Sequence, residues 1–171
     1  MEFFDVLKTR SSVRIYAGTP VDDEKLDQIL EAINRAPSAG NLQAFEVYVV
    51  KRPDQRVELA AVALGQNFMA QAPLALIFCT HADRSTRKYG QRGASLYCLQ
   101  DATIACTYAM LAVTALGLSS VWVGAFDAEK VSDIINAPQA YYPVAMLSIG
   151  YAAGEPRERS RRELDDLVHR V

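Results

Sequence analysis

The sequence lacks several of the patterns on which common active sites depend. Only two histidines, His81 and His169, occur among 171 residues, and no serine or cysteine lies in a nucleophile motif. Hydrolase triads and histidine-based metal sites are therefore disfavoured, and no metal is expected. Neither GxGxxG nor GxxxxGK[ST] occurs, which excludes the Rossmann fingerprint and the P-loop.

Cysteine is scarce and irregularly spaced. Cys79, Cys98 and Cys106 are odd in number and have no CxxC spacing. This argues against a disulfide framework and against a zinc knuckle, and it favours a reducing, cytoplasmic location. All three fall in apolar stretches, where cysteine normally serves as a small buried residue.

The charge balance shows no excess that would attract a charged macromolecule. The formal net charge is −2 and the pI about 5.7, so neither nucleic acid nor an anionic membrane surface is expected as a partner. The first residues, MEFFDVLKTR, lack the apolar run of a leader, and the most apolar stretch, 102–118, is interrupted by polar residues. We expect one domain over residues 1–171, without a membrane span.

The sequence does contain a regular alternation of helix and strand patterns. The run LALIFCT is so continuously apolar that a strand covered on both faces is expected. The stretch 95–116 predicts a long helix ended by Gly117, and its lack of a polar face places it in the core or in an oligomer interface. We therefore predict an α+β sandwich. Strands are expected at 45–50, 74–80, 119–126 and 143–152, short helices near both termini, after Asp22, over 53–73 and after Asp127, and a polar loop at 83–93.

Two segments concentrate arginine. Guanidinium groups and hydroxyls hold a phosphate by charge-assisted hydrogen bonds. In an extended segment Arg159 and Arg161 would project to the same side, because side chains alternate. The alternative is that these arginines are solvated and paired with neighbouring acids. The segments are TRSSVR, with Arg10, Ser11, Ser12 and Arg14, and RERSRR, residues 157–162.

Two further stretches contain more polar residues or glycines than a simple connection or a strand requires. The segment APSAGNLQAF, residues 36–45, offers Ser38, Asn41 and Gln43 around Gly40; it indicates either a ligand-contacting loop or an ordinary helix-to-strand turn. In SSVWVGAF, Gly124 and Ala125 follow Val123 within a strand pattern. Such a glycine marks either close approach of a ligand to backbone N–H groups or a β-bulge.

Taken together and in this order, these motifs resemble the nitroreductase family of FMN-dependent oxidoreductases. The similar stretches are RSSVRIY, PVDDEKLDQILEAINRAPSAGNLQAFEVYVV, YGQRGASLYCLQDATIACTYAMLAVTALGLSSVWVGAF and LSIGYAAGEPRERSRRELDDLV, which span nearly the whole chain. The resemblance implies an α+β fold and an intertwined homodimer. Two FMN sites would lie at the subunit interface, and helix 95–116 would form the core of the dimer.

The resemblance also implies roles for individual residues. Arg10, Ser11 and Ser12 would contact the phosphate and ribityl chain, and Arg14 the pyrimidine end of the ring. The loop matching PSxxNxQ would reach the FMN of the other subunit, and the backbone of Gly124 and Ala125 would donate to flavin N5 and O4. The complete predicted set is Arg10, Ser11, Ser12, Arg14, Pro37, Ser38, Ala39, Asn41, Gln43, Gln66, Val123, Gly124, Ala125, Arg159 and Arg161.

The activity implied is ping-pong hydride transfer from NADH or NADPH to FMN and on to a nitroaromatic, a quinone or a similar small acceptor. No side-chain acid or base is required, because a cofactor carries such chemistry. Alternatives on the same fold are a flavin-dependent dehydrogenase, a reductive dehalogenase and a flavin-fragmenting enzyme. A non-catalytic flavin-binding or redox-sensing protein and a phosphate-binding structural module without flavin are alternatives of other classes.

Overall fold

A computed structural model describes residues 1–154 and 160–171. Helices lie on both sides of four strands. In chain order the elements are α1 (Phe3–Thr9), α2 (Asp23–Asn34), β1 (Phe45–Val50), α3 (Pro53–Val62), α4 (Phe68–Gln71), β2 (Leu74–His81), α5 (Ala82–Arg92), α6 (Cys98–Ala115), β3 (Ser119–Val123), α7 (Ala128–Ile134), β4 (Tyr141–Gly150) and α8 (Leu164–Leu167), with a 3-10 turn over Ala39–Asn41 and a π-helical turn over Gly93–Tyr97.

The four strands form one antiparallel sheet in the order β1-β2-β4-β3. Every residue of β2 except His81 is buried, which confirms the expectation drawn from its continuous apolar run. The ladder between β2 and β4 shifts register between Phe78 and Cys79. In the strand order given above, β1 and β3 lie at opposite edges of the sheet.

Each face of the sheet has its own apolar core. On one face, α2 and α6 pack with residues such as Ile29, Phe78 and Leu147. On the other face, α3, α4 and α7 pack around residues such as Met69 and Met146. The sheet is thus the middle layer between two layers of helices, which is the sandwich that the sequence predicts.

Helix α6 is the long apolar helix. Its buried side consists largely of small residues, including Ala102, Ala105 and Ala109, which let the helix lie close to the sheet. By length and apolar composition alone, the helical stretch Ala82–Ala115 could cross a membrane. Here its second half is the core helix of the sandwich, and it carries one buried carboxyl group, Asp101.

Several predicted boundaries are confirmed. Strand β1 begins and ends at the predicted residues, and α1 ends at Thr9. Gly117 has a φ of 73°, which permits the predicted end of α6. Asp127 precedes α7, and its carboxylate accepts a hydrogen bond from the Lys130 amide at 3.2 Å.

Three expectations are wrong. Residues 83–93 are not a polar loop, because Ala82–Arg92 is helical. Long unbranched side chains support a helix even without an apolar stripe. The helix is interrupted at Gly90, whose φ is 56°. Helix α6 begins at Cys98, after the π-helical turn, rather than at residue 95. Gly124 and Ala125 lie beyond the end of β3, whose ladder with β4 is regular, so they form no bulge within the strand.

The three cysteines are free and buried, as expected from their apolar surroundings. Burial raises the pKa of the Cys79 thiol to about 12, and burial also raises the pKa values of Cys98 and Cys106. The thiols therefore remain protonated at neutral pH and are poor nucleophiles.

The segment after α1 is held against the end of the sheet. The Val13 amide donates to the Ser120 carbonyl at 3.1 Å, and the Ala17 amide donates to the Tyr151 carbonyl at 2.9 Å. Between these two bonds, the buried Tyr16 places its hydroxyl 2.8 Å from the Ser148 hydroxyl of β4. Burial raises the pKa of Tyr16 to about 12, from an ordinary value of 10.0.

We expect Tyr16→Phe to lower the free energy of unfolding by about 1 kcal/mol at pH 7, because the bond to Ser148 is lost. Because folding raises the pKa of Tyr16, the contribution of its protonated hydroxyl to the free energy of unfolding is complete below about pH 10. This contribution declines as the pH rises towards 12. The decline should therefore be shallower in the variant. Urea unfolding at pH 7 and above pH 10 measures both effects. Tyr142→Phe, at an exposed position of β4, is the control, and identical pH profiles for all three proteins would contradict the assignment.

Candidate functional site

The N-terminal segment turns two of its predicted site residues outwards. Ser12 forms a parallel bridge with Ser120 of β3, and the next residue, Val13, is buried. Because side chains alternate in an extended segment, Ser12 and Arg14 lie on the opposite side, and both are exposed. Arg10 follows α1 directly, and its amide donates to the Val6 carbonyl at 2.9 Å.

A chain of contacts leads from Arg14 to the end of β3. The Arg14 guanidinium carbon lies 5.8 Å from the centre of the Phe68 ring. Two residues earlier, the Gln66 side-chain amide donates to the Ala63 carbonyl at 2.9 Å and to the Ala125 carbonyl at 3.4 Å. Gln66 and Ala125 are thus in contact, and Arg14 lies against Phe68, two residues along the chain from Gln66. A role for these three residues at a flavin stays a prediction.

The backbone after β3 offers hydrogen-bond donors. Gly124 and Ala125 are exposed, and neither amide donates to another group among the described residues. A side chain at Gly124 would come within 3.3 Å of the Trp122 indole nitrogen, so glycine keeps the approach to this backbone open. Val123 itself is buried in the second core and can contribute only its backbone. We call the surface formed by Arg10, Ser11, Ser12, Arg14, Gln66, Gly124 and Ala125 the N-terminal half-site.

The loop 36–45 has an unusual backbone. Asn41 and Gln43 have φ angles of 56° and 49°, and Gly40 between Ala39 and Asn41 has a φ of 57°. Left-handed backbone in non-glycine residues costs about 1–2 kcal/mol per residue and persists only where tertiary contacts enforce it. The contacts around this loop must therefore be strong.

Asp101 supplies the strongest of these contacts. Its carboxyl group, in a residue only 1% exposed, accepts hydrogen bonds from the Ala39 amide at 2.9 Å and from the Ala44 amide at 3.3 Å. The two amides lie near the two ends of the loop, so one side chain fixes both ends. Asp101 is not among the site residues that the sequence predicts. It is nevertheless the one charged residue of the apolar helix α6, and this isolated charge is the sequence feature that could have indicated its role.

Other bonds complete the shape of the loop. The Ser38 hydroxyl accepts a hydrogen bond from the Gln43 amide at 2.9 Å, and the Arg84 side chain donates to the Leu42 carbonyl. The Gln43 side-chain amide donates to the Asn34 side chain at 3.0 Å. Gln43 thus faces back towards α2 in this structure.

Three consecutive residues of the loop, Pro37, Ser38 and Ala39, border an open cavity. Pro37 and Asn41 are exposed, and the Asn41 side chain forms no hydrogen bond within the described parts of the chain. Ser38 and Ala39 border a cavity of about 470 Å³ between the loop and α6. Its full lining is Pro37, Ser38, Ala39, Tyr97, Gln100, Asp101, Thr103 and Ile104. We call the loop 36–45 and this cavity the loop half-site.

The two half-sites do not meet within one chain. The loop leads into β1 and Gly124 follows β3, and these strands are the opposite edges of the sheet. Three strand spacings separate them, which is about 14 Å. A larger cavity, of about 750 Å³ near Gly18, Asp23 and Arg56, includes none of the predicted site residues.

Of the two predicted C-terminal arginines, the structure describes only Arg161. Arg159 lies outside the described residues. Arg161 is exposed, and its guanidinium donates to the Ser160 carbonyl at 3.2 Å. Its role as a phosphate ligand therefore stays a prediction. No cluster of three metal-ligating side chains occurs in residues 1–154 and 160–171.

Known proteins share both sequence and fold with this chain. The sequence profile of the nitroreductase family matches residues 7–68 and 61–151. The chain belongs to the nitroreductase family. It is thus an oxidoreductase by family, as the ordered motifs predict.

Relatives of this nitroreductase-family protein cover almost its whole length. The FMN reductase [NAD(P)H] of Bacillus subtilis is 29% identical over 183 aligned residues, which cover 98% of this chain and 73% of the reductase. The solved structure of NfrA2 from B. megaterium has a TM-score of 0.91 at 26% identity and covers 99% of this chain and 74% of its own. An FMN-dependent nitroreductase from Clostridium difficile R20291 has a TM-score of 0.82 at 27% identity, with 97% of both chains covered.

Asp101→Asn should loosen the loop of this nitroreductase-family protein. An amide keeps one accepting oxygen but turns an NH₂ group towards the second backbone donor, so we expect a loss of about 2 kcal/mol in stability. Hydrogen exchange of the Ala39 and Ala44 amides should accelerate more than exchange of the Ile77 amide in the central strand. Gln100→Ala, one residue away on the exposed side of α6, is the control. Unchanged exchange at Ala39 and Ala44 would show that Asp101 does not hold the loop.

Proposed function

We propose that the protein is an FMN-dependent NAD(P)H oxidoreductase that passes hydride on to a nitroaromatic, a quinone or a similar small acceptor. The observation that carries the proposal is the exposed backbone just after β3: the amides of Gly124 and Ala125 have no partner among the described residues, and Gln66 donates to the Ala125 carbonyl at 3.4 Å. Names of relatives support it, since they include an FMN reductase and an FMN-dependent nitroreductase.

The donors of the N-terminal half-site fit FMN. Arg10, Ser11 and Ser12 offer a guanidinium and two hydroxyls in three consecutive positions, a combination suited to a phosphate and a ribityl chain. Arg10 forms no ion pair with an acid among the described residues. The unpartnered amides of Gly124 and Ala125 suit a ring that presents nitrogen and carbonyl acceptors. We propose Arg161 and Arg159 as further phosphate ligands.

The residues of the chain bind and orient, and the cofactor supplies the redox chemistry. FMN, when bound, would supply hydride acceptance from a nicotinamide and delivery of reducing equivalents to a second molecule. Arg14 would place positive charge near the pyrimidine end of the ring, and the amides of Gly124 and Ala125 would donate to its N5 and O4 edge and so orient it. Buried, protonated thiols are unsuited to a competing nucleophilic role.

We propose that the complete site requires two copies of the chain. The loop half-site lies at the opposite sheet edge from the N-terminal half-site, so a second copy must bring a loop to the first copy's FMN. Apolar surface is available for pairing: Phe3, Phe4 and Leu7 of α1 are 59%, 80% and 46% exposed, and Leu99 and Tyr108 of α6 are also exposed. We further propose that residues 1–171 act as a single domain in the cytoplasm, where the free thiols stay reduced.

A mixed dimer tests this function and its two-copy site together. Arg14→Ala and Asn41→Ala should each weaken FMN binding at both sites of the homodimer, and the loss should be about tenfold or more for Arg14→Ala, which removes a charged contact. In a heterodimer of one Arg14→Ala chain and one Asn41→Ala chain, both lesions fall in the same site, so one of the two sites is intact. Differently tagged chains allow this heterodimer to be purified, and flavin fluorescence measures the tight site.

The matched control pairs two lesions of the same half-site. A heterodimer of Arg14→Ala and Arg10→Ala chains carries one lesion in each site, so no tight site should return. Tight binding in this control, or none in the first heterodimer, would overturn the cross-chain arrangement. A colourless wild-type protein that FMN does not stabilise would overturn the function itself. A yellow protein that neither NADH nor NADPH bleaches would indicate a flavin-binding protein without turnover.

A further inference from the structure

Helix α5 is strongly cationic. It carries Arg84, Arg87, Lys88 and Arg92 within eleven residues, against a single acid, Asp83. None of the four cations has a carboxylate oxygen within 4.0 Å anywhere in the described chain, although four such pairs form elsewhere. A solvated helix face normally mixes charges of both signs. The positive charge of α5 is therefore not balanced locally.

The helix lies against the loop half-site. A side chain at Gly40 would come within 2.7 Å of the Lys88 ammonium nitrogen and would collide with the Tyr89 hydroxyl. Arg84 donates to the Leu42 carbonyl. The positive φ favours glycine at position 40, and the side-chain ends of Lys88 and Tyr89 lie directly over it.

A second line of contacts runs from α5 into the cavity of about 470 Å³. The Tyr89 and Tyr97 rings meet edge to face with centres 5.0 Å apart. The Arg92 side chain donates to the Tyr97 hydroxyl at 2.9 Å, and Tyr97 lines the cavity together with Pro37 and Ser38. Lys88 thus lies against the loop at Gly40, with Arg87 next to it in the helix, and Arg92 contacts the cavity-lining Tyr97.

We propose that α5 selects the molecule that enters this site by its negative charge, through Arg87 and Lys88. The proposal rests on the proposed function and names the class of its substrate: a molecule with a phosphate or carboxylate group besides its reacting part. Arg84 and Arg92 are engaged by the Leu42 carbonyl and the Tyr97 hydroxyl. Arg87 is exposed and donates no hydrogen bond within the described residues. The Lys88 ammonium nitrogen lies 5.4 Å from the centre of the Tyr89 ring.

Two sources could present this charge. One is the reductant, because NADPH carries a ribose phosphate that NADH lacks. The other is the acceptor, if it bears an acidic group. In both cases the cations act on binding and not on hydride transfer, so they should change Kd and KM and leave kcat unchanged. The effect should also weaken as salt is added, because exposed charges are screened.

The test compares the FMN-loaded wild-type protein with the double variant Arg87→Gln, Lys88→Gln. Calorimetry measures the binding of NADP⁺ and NAD⁺, and steady-state kinetics measures KM for NADPH, NADH, 4-nitrobenzoate and 4-nitrobenzamide. We expect about a tenfold weaker interaction with the more negatively charged member of at least one pair, NADP(H) or 4-nitrobenzoate, and less than about a twofold change for the other member. If the reductant is recognised, the ratio of Kd or KM values within the nucleotide pair changes. If the acceptor is recognised, the ratio of KM values within the nitroaromatic pair changes.

Two further variants make the result specific. Lys88→Arg keeps the charge and should retain the wild-type ratios. Lys130→Gln removes an exposed cation from α7, which packs on the face of the sheet opposite to α6, and should change neither ratio. If the double variant binds FMN and is reduced like the wild type, but the ratio between the more and the less negatively charged member of both pairs stays within about twofold of the wild type, α5 does not select charge. That outcome leaves the proposed function standing, whereas failure of the wild-type protein to bind FMN would refute the function.

Discussion

The buried carboxyl group of Asp101 is the contact on which the loop half-site depends. It binds the Ala39 and Ala44 amides from within an apolar helix, at the two ends of a loop with three left-handed residues. Such a backbone does not persist through local preference alone, because Asn41 tolerates a positive φ but Gln43 bears its steric penalty. The shape of the loop is therefore set by helix α6. The cavity beside Ser38 and the position of α5 on Gly40 follow from that shape.

The order of strands then determines how the site can be completed. Because β1 and β3 are opposite edges, a single chain presents the N-terminal half-site at one edge and the loop half-site at the other. Exposed apolar residues on α1 and α6 form the surface on which we propose that a second copy packs. The same helix α6 thus holds the loop on its buried side and offers apolar residues on its outer side.

The parts of the fold that depend on local patterns could be predicted from the sequence. The apolar run of β2, the boundaries of β1 and the glycine that ends α6 are examples, and the ordered motifs were sufficient to identify the family. Helix α5 could not be predicted, since its polar residues show no apolar period. The role of Asp101 rests on partners 62 and 57 positions away, and the position of Gly124 beyond β3 depends on where the ladder with β4 ends.

The chain contains a single tryptophan, and its place next to Gly124 has a practical consequence. The indole nitrogen lies where a side chain on Gly124 would touch it, directly beside the backbone amides of the N-terminal half-site. All intrinsic indole emission of the molecule therefore originates at this one spot. The protein carries its own optical probe of what occupies the end of β3, without any attached dye.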